Sequence, residues 1–405
     1  MGYRTALFGK YLNTHGWFCD AGVGVPPGWD RFFASCKGVY YDNTWSDQGQ
    51  MITDDPNLTG PMNANGTNYN TAIVGNYTVN YIRSVPHDKP FFIFAAPHAP
   101  HVGAHGSGGA GVSATPAKWY DRPDIFPNVR APRRPNYNHT PANMHWLIAQ
   151  QKPIQPGFEE DWIDELMRNR WRTLLSVDDL IVGVVNALQE TGVYNNTIIF
   201  FTSDHGQNLG HYRLPSCKLN VYEHDVRVPL LVAGPGIMPS TTINALAGNT
   251  DLAPTILEIA GGTAGAINPI MDGKSLAGLL MPTDVRFGGE RSSLSRDTYL
   301  IEYNSLGNVS RGAPGHYHLV DSTRSNQYRA IRVINVSRGH NILFAEFTDL
   351  TDWNFERDDM FTEMFNMTSD PWQIHNVVDT ADPKLVSELR NRLHTLWTCK
   401  VATCP

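Results

Sequence analysis

At 405 residues and 41% hydrophobic content, the chain is long enough to bury a large core and to form more than one unit. A net charge of -7 gives no reason to expect nucleic acid as a partner. No apolar run reaches the length of a membrane span, the N-terminal MGYRTALFGKYLN lacks the apolar stretch of a signal peptide, and Ala6 stands where a myristoylation site needs Ser or Thr.

In chain order, Thr5-Ala6-Leu7-Phe8 reads as a short buried strand ending at Gly9-Lys10. Residues 20–65, rich in Gly, Pro, Asp and Asn, read as loops and short strands around Arg31-Phe32-Phe33-Ala34 and Val39-Tyr40-Tyr41. Ile73, Val74, Tyr77, Tyr81 and Ile82 recur at helical spacing, and Pro86 and Pro90 end that helix. Phe91 to Ala96 reads as a second buried strand, running into Pro97-His98-Ala99-Pro100-His101. Residues 102–160 show no sustained period, and a loop this long is usually functional or mobile. Leu174, Val177, Ile181, Val184, Val185 and Leu188 mark a long helix over about 158–190, with Gly192 just past its end.

That helix leads into Ile198-Ile199-Phe200-Phe201, the pattern of a strand buried on both faces. The strand ends in Thr202-Ser203-Asp204-His205-Gly206, and a further apolar run follows at 228–233. A helix is expected over 249–260. Beyond about 285, strands of mixed polarity at 300–303, 328–334 and 342–347 suit an antiparallel sheet with one wet face, closed by a helix over 383–397. Strand, helix and strand in this order imply βαβ units and a parallel or mixed sheet. Two domains are expected, 1–285 and 286–405, the second a smaller α+β subdomain.

Chemistry-bearing residues gather at strand ends, where ligands of open α/β sheets sit. Asp204 and His205 are adjacent, so a continuing strand would point them apart; they can share a ligand only if the chain turns at Gly206. A carboxylate with an imidazole suits a divalent metal. Lys10 and Lys218 are cations suited to an anionic substrate, and His98 and His101 can transfer protons near neutral pH. Ser203-Asp204-His205 is not a hydrolase triad, whose members come from separate segments, and no Gly-x-Ser-x-Gly elbow occurs.

Eight Asn-x-Ser/Thr sequons, at Asn57, Asn65, Asn76, Asn138, Asn195, Asn308, Asn335 and Asn366, point to the secretory pathway and N-linked glycans. Cys399 and Cys404 can close a terminal loop, Cys19 and Cys36 can pair, and Cys217 is left over.

Several segments together resemble the sulfatase family. They are Gly2 to Asn13 around Gly9-Lys10; Pro97 to His101; Ser176-Val177-Asp178-Asp179-Leu180-Ile181; Asp204-His205-Gly206; Leu214 to Lys218; Tyr222 to Pro229; and Glu363 to Pro371. Their order follows the family through the whole chain, nearest to the N-acetylglucosamine-6-sulfatase and algal or fungal arylsulfatase group. The resemblance implies an α/β, alkaline-phosphatase-like mixed sheet flanked by helices, and a sulfuric ester hydrolase acting on a sulfated small molecule or glycan. It implies Asp204 and His205 as metal ligands, and Lys10, Lys218, His98 and His101 as sulfate-binding or proton-transferring groups. The metal is expected to be Ca2+, with Mg2+ or Mn2+ as alternatives. His205 stands where many relatives have Asn, and imidazole is a softer ligand than calcium prefers. Asn13 lies near a position where relatives often have His.

The family's nucleophile is a formylglycine made within Cys-x-Pro-x-Arg, which none of the five cysteines matches, and its paired N-terminal aspartates are also absent. The chain is therefore expected to start after that motif, to be inactive alone, and to leave an open slot in its central sheet. The expected setting is secreted, cell-wall or lysosomal. Two other functions fit the same residues: a metal-dependent phosphodiesterase or phosphonate hydrolase of the same superfamily, and an inactive glycan-binding glycoprotein.

Overall fold

The computed structural model describes residues 2–12, 24–53, 68–103, 113–262, 271–281, 296–304, 326–348, 352, 354–357 and 360–399. Asn13, Cys19, Cys404 and the sequons at Asn57, Asn65 and Asn308 lie outside them. Two units are distinguished by their internal contacts: Gly2–Ala131 with Asp161–Thr197, and Pro132–Glu160 with Ile198–Pro405. The C-terminal sheet and helix expected beyond 285 belong to the second unit.

The first unit is built on β1 (Arg4–Gly9), β2 (Arg31–Ser35), β3 (Thr44–Asp47), β4 (Gln50–Thr53) and β5 (Phe91–Ala96), in the order β4-β3-β2-β1-β5. β1 runs parallel to β2 and β5, while β3 and β4 are antiparallel, so the sheet is mixed. Alternation along β1 sorts its side chains between two faces. Ala6 and Phe8 pack with Phe33, Trp45, Ile73 and Val74 of α1 (Asn70–Ser84), and Leu180. Leu7 packs on the other side with Phe32 and Ala34. Leu180 belongs to α3 (Phe158–Glu190), the long helix; α2 is a single turn at Trp146–Ala149. Gly192, at φ +75°, closes α3 as a Schellman motif: Gly192 N–H donates to the Gln189 carbonyl and Val193 N–H to that of Leu188, both at 3.0 Å.

The second unit contains β6 (Ile199–Thr202) paired antiparallel with β7 (Leu230–Ala233), with the single-turn α4 (Glu223–Val226) between them. α5 (Leu252–Ile259) and α6 (Ala277–Leu280) follow, and Ile259, Leu276, Leu280 and Met281 cluster with Phe200 and Val232. A four-stranded antiparallel sheet, in the order β11-β10-β9-β8, comprises β8 (Thr298–Tyr303), β9 (Gln327–Asn335), β10 (His340–Thr348) and β11 (Phe361–Asn366). α7 (Pro383–Thr398) covers one face through Leu389 and Leu393.

Three expectations are corrected. First, the C-terminal sheet has no wet face. Opposite α7, Tyr328, Leu343, Phe347 and Phe365 pack against Tyr212, Leu214, Tyr222, Leu147 and Ile148. Its polar residues are accommodated because they find partners inside: fully buried Glu346 takes Arg390 at 2.6 Å and His394 Nε2 at 2.9 Å. Second, β5 and β6 are not fully buried. Among the described residues β5 pairs only with β1, and β6 only with β7, leaving Phe94 49%, Phe201 37% and Leu231 60% exposed. Third, the described part of the 102–160 segment is anchored rather than loose: Ala114, Ala117, Ala131, Met144, Leu147, Ile148 and Ile154 are buried. Irregular backbone here follows packing instead of period.

The sequons also differ in availability. Asn76 lies on α1, only 5% exposed. Asn138 donates its amide to the Ile154 carbonyl (3.0 Å) and Asn335 to Asp297 (2.6 Å), whereas Asn195 and Asn366 are exposed. Cys36 and Cys399 are disulfide-bonded and Cys217 is free.

Candidate active site

In the first unit, Lys10 and the histidine loop stand at the carboxyl ends of two neighbouring parallel strands. Gly9 pairs with Ala96, and Lys10 N–H donates to the Ala96 carbonyl at 2.7 Å. Gly9, at φ +111°, cannot be replaced without strain, since a Cβ there would lie 2.1 Å from that carbonyl oxygen. After β5 the chain turns through a cis Ala99–Pro100 bond. His98, 8% exposed, donates its backbone N–H to the Asn70 side-chain oxygen at 3.0 Å. Its ring meets His101 at 5.1 Å and the edge-on ring of buried Tyr40 at 4.7 Å. Tyr40 Oη donates to the His101 carbonyl (2.5 Å), and His101 Nδ1 donates to that of Val102 (2.6 Å). Arg170, on α3, lies near Tyr40, and burial pushes its guanidinium down to about 10.

In the second unit, β6 ends at Thr202 and the chain turns immediately. Asp204 Oδ1 accepts His205 N–H at 3.1 Å, and Asp204 Oδ2 lies 3.6 Å from His205 Nε2. The turn thus brings together two side chains that a continuing strand would separate. Gly206 permits it by providing space rather than a left-handed φ: a Cβ would sit 1.9 Å from the His224 carbonyl oxygen. Gly206 N–H and Gln207 N–H donate to the carbonyls of Asp225 (2.7 Å) and His224 (3.1 Å), clamping the turn on α4.

Lys218 sits in the loop between this turn and α4, flanked by Cys217 at φ +84° and Leu219 at φ +87°. Non-glycine residues at such angles mark a backbone held by its surroundings. The holder is Asp225, 4% exposed: its Oδ2 accepts the Asn220 N–H (2.8 Å), the Asn220 amide (2.9 Å) and the Asn208 amide (3.4 Å). Burial pushes this carboxyl up to about 7, opposed by those hydrogen bonds and by the charge of Lys218. His211 and His224 stack at 4.4 Å with planes 8° apart. Burial moves His211 down to about 4 and His224 well below the usual range, so both are neutral at pH 7. Burial also pushes the Cys217 thiol up, away from thiolate reactivity.

The donor set can be tested against a divalent metal. His205 Nδ1 lies 2.7 Å from the Gly206 carbonyl, which can only accept, so the proton is on Nδ1 and the lone pair on Nε2. A ligating histidine is commonly fixed this way by a carbonyl on its other nitrogen. Nε2 then faces the carboxylate of Asp204, whose side chain is 64% exposed. Among the described residues no group of three or more His, Cys, Asp and Glu could hold a metal ion. These two donors fit part of a coordination shell.

The sequence pattern located Lys10, His98, His101, Asp204, His205 and Lys218 but gave no role to Tyr40, Asn70, Arg170, Asn208, Asn220 or Asp225. Asp225 lies in a segment already singled out, and an acidic residue at the start of a strand-preceding turn is too common to signal burial. Tyr40 is separated from His98 by 57 positions of sequence, so no local pattern connects them.

The family model described as Sulfatase matches residues 1–262. The human (Homo sapiens) N-acetylglucosamine-6-sulfatase is 35% identical over 417 residues, covering 100% of this chain and 68% of that protein. The extracellular sulfatase SULF-1 homolog of Drosophila melanogaster is 34% identical over 289 residues, covering 69% of this chain and 23% of its own. A structure of a protein with its substrate D-glucosamine-2-N,6-O-disulfate superposes with a TM-score of 0.71 at 21% identity, covering 97% of this chain and 78% of that one. At that identity the likeness speaks for the fold, the alkaline-phosphatase-like α/β arrangement expected from the sequence. No helix of the described residues is long and apolar enough to cross a membrane. The chain belongs to the sulfatase family.

Proposed function

We propose that the chain carries the sulfate-binding and metal-binding residues of a sulfuric ester hydrolase whose substrate is a glycan bearing 6-O-sulfated glucosamine. The observation that supports this most is the Asp204–His205 turn, where a carboxylate oxygen faces an imidazole lone pair at 3.6 Å beside the Lys218 loop. The names of the relatives supply the substrate class. Asp204 and His205 would hold the divalent cation, Ca2+ by family resemblance. When bound, that ion supplies positive charge to a sulfate oxygen. Lys218, beside the Asp204–His205 turn, would offset the negative charge that builds on sulfate as the ester bond breaks, and Lys10 is a sulfate-binding cation by family resemblance. His98, oriented by Asn70 and Tyr40, is placed to bind sulfate or give a proton to the leaving oxygen. His101 shapes that loop.

The formylglycine nucleophile has no Cys-x-Pro-x-Arg candidate in these 405 residues, so the chain is expected to bind a sulfate ester without turning it over. Passage through the secretory pathway is supported by the disulfide-bonded Cys36 and Cys399 and the exposed sequons at Asn195 and Asn366. Titration calorimetry with N-acetylglucosamine 6-sulfate, with and without Ca2+, tests the proposal. Calcium-dependent binding that weakens at least about tenfold in Lys218→Ala and Asp204→Ala supports it, about 1.4 kcal/mol each. Binding indifferent to calcium and to both substitutions refutes it, and hydrolysis of an aryl sulfate by this chain refutes the missing nucleophile.

A further inference from the structure

An aromatic ladder leads away from the His98 loop within the first unit. Tyr40, edge-on to His98, stacks on Tyr69 at 5.8 Å with planes 18° apart. Tyr69, fully buried, meets Tyr41 at 5.0 Å and Trp119 at 5.9 Å. Tyr40 and Tyr69 form the buried end, whereas Tyr41 and Trp119 are only half-buried.

The open end is rigidly held. Tyr41 Oη accepts the Lys118 N–H at 2.9 Å and donates to the Pro116 carbonyl at 3.4 Å. Tyr69 Oη donates to the Thr115 carbonyl at 3.1 Å. Next to Trp119, Tyr120 Oη donates to both carboxylate oxygens of Asp179, at 3.0 and 2.9 Å. The exposed side chain of Lys118 carries its ammonium 5.9 Å from the centre of the Tyr41 ring. A partly exposed indole beside an ammonium that lies over the neighbouring Tyr41 ring matches a sulfated sugar in both respects. The C–H faces of a pyranose ring lie on aromatic rings, and its anionic substituents seek an ammonium group.

We propose that Tyr41, Trp119 and Lys118 form a sugar-binding subsite beside the histidine loop, which takes the glycan residue next to the one whose sulfate is bound. It selects chains with an anionic group near Lys118. The proposal rests on the sulfated-glycan function above and adds to it a determinant of chain-length preference.

Titration calorimetry with two probes separates the two. N-acetylglucosamine 6-sulfate reads the sulfate site alone; a sulfated glucosamine-uronic acid tetrasaccharide reads both. Trp119→Ala is expected to weaken tetrasaccharide binding about tenfold and Lys118→Ala about threefold, with the monosaccharide unchanged by either. Trp119→Phe, which keeps a stacking face, should recover most of the loss. Equal losses for both probes would make the ladder a packing device only, and no change with either probe would also overturn the subsite. If the unmodified chain binds neither probe, the sulfated-glycan function fails and the subsite fails with it. If it binds the monosaccharide as well as the tetrasaccharide, only the subsite fails.

Discussion

The two groups of candidate residues are built in different ways for one kind of task. Around His98 the loop packs against rings, Tyr40, Tyr69 and Tyr41 meeting face and edge, alongside hydrogen bonds from His98 N–H to Asn70 and from Tyr40 Oη to the His101 carbonyl. Around Lys218 the loop is held by polar groups converging on one buried carboxylate, Asp225, and by backbone bonds from Gly206 and Gln207 to α4. Aromatic packing tolerates small shifts, because dispersion and burial are not directional. Hydrogen bonds to a buried carboxylate do not, because each lost partner leaves a desolvated group. The second region is therefore suited to fixing a charged side chain at one position, and the first to shaping a surface.

One feature is common to both and gives the largest expected effects. Each region needs a glycine where a neighbouring carbonyl oxygen occupies the space of a Cβ: Gly9 against Ala96 at 2.1 Å and Gly206 against His224 at 1.9 Å. The obstacle is backbone in both cases, so it cannot rotate away. Gly9→Ala and Gly206→Ala should each cost at least about 3 kcal/mol, the upper range for overpacking. Urea denaturation measures the loss. If the aromatic region is the more compliant, Gly9→Ala still binds N-acetylglucosamine 6-sulfate weakly when Gly206→Ala no longer does. Equal retention would remove the contrast.

A smaller effect concerns pH and belongs to the second region alone. Tyr222, at the start of α4, donates to Glu363 Oε2 at 3.0 Å, and His145 N–H donates to Oε1 at 2.9 Å. Burial pushes this carboxyl from 4.5 up to about 8, while burial pushes His145 down to about 3. A raised carboxyl pKa stabilises the fold fully below the unfolded value and ceases to do so as pH rises through the folded value. The Glu363 contribution should therefore fall between about pH 4.5 and 8, by up to about 1.4 kcal/mol per pH unit. His145 acts oppositely in an overlapping window, favouring the fold less as pH falls from 6.5 toward 3, so the two offset each other between about pH 4.5 and 6.5 and the net loss, about 2 kcal/mol, falls between about pH 6.5 and 8. Glu363→Gln, which mimics the neutral acid, should flatten the alkaline slope in melts followed from pH 5 to 9. A slope unchanged by the substitution would assign it to other groups.

How much of this was legible in the sequence follows from the same physics. Repeating patterns showed through: the 3.6-residue period of Leu174 to Leu188 placed α3 over 158–190, and Gly192 marked its end because few residues accept that φ. Strand ends carrying Lys10, His98 and Asp204 were visible because polar residues follow apolar runs abruptly. What stayed hidden depends on contacts distant in sequence. The polar residues of β10 and β11 suggested water, yet Glu346 meets Arg390 and Glu363 meets Tyr222 inside. A side chain's partner decides whether it can be buried, and no period encodes that partner. Asp225 and Tyr40 escaped for the same reason.

The smallest effect tests the contrast most directly. Tyr40→Phe keeps the ring between His98 and Tyr69 but removes the hydroxyl that donates to the His101 carbonyl. Tyr40→Leu removes the ring as well. If rings carry this region, Phe should cost about 1 kcal/mol, the ordinary net value of one hydrogen bond. Leu should cost that plus the aromatic contacts, each about 0.5 to 1.5 kcal/mol. Urea midpoints at unchanged m-value give both numbers. Should Phe cost as much as Leu, the hydroxyl holds the His101 turn and the ring is incidental. The histidine loop would then be a hydrogen-bonded structure of the same kind as the Lys218 loop, and both would fix charge in the same way.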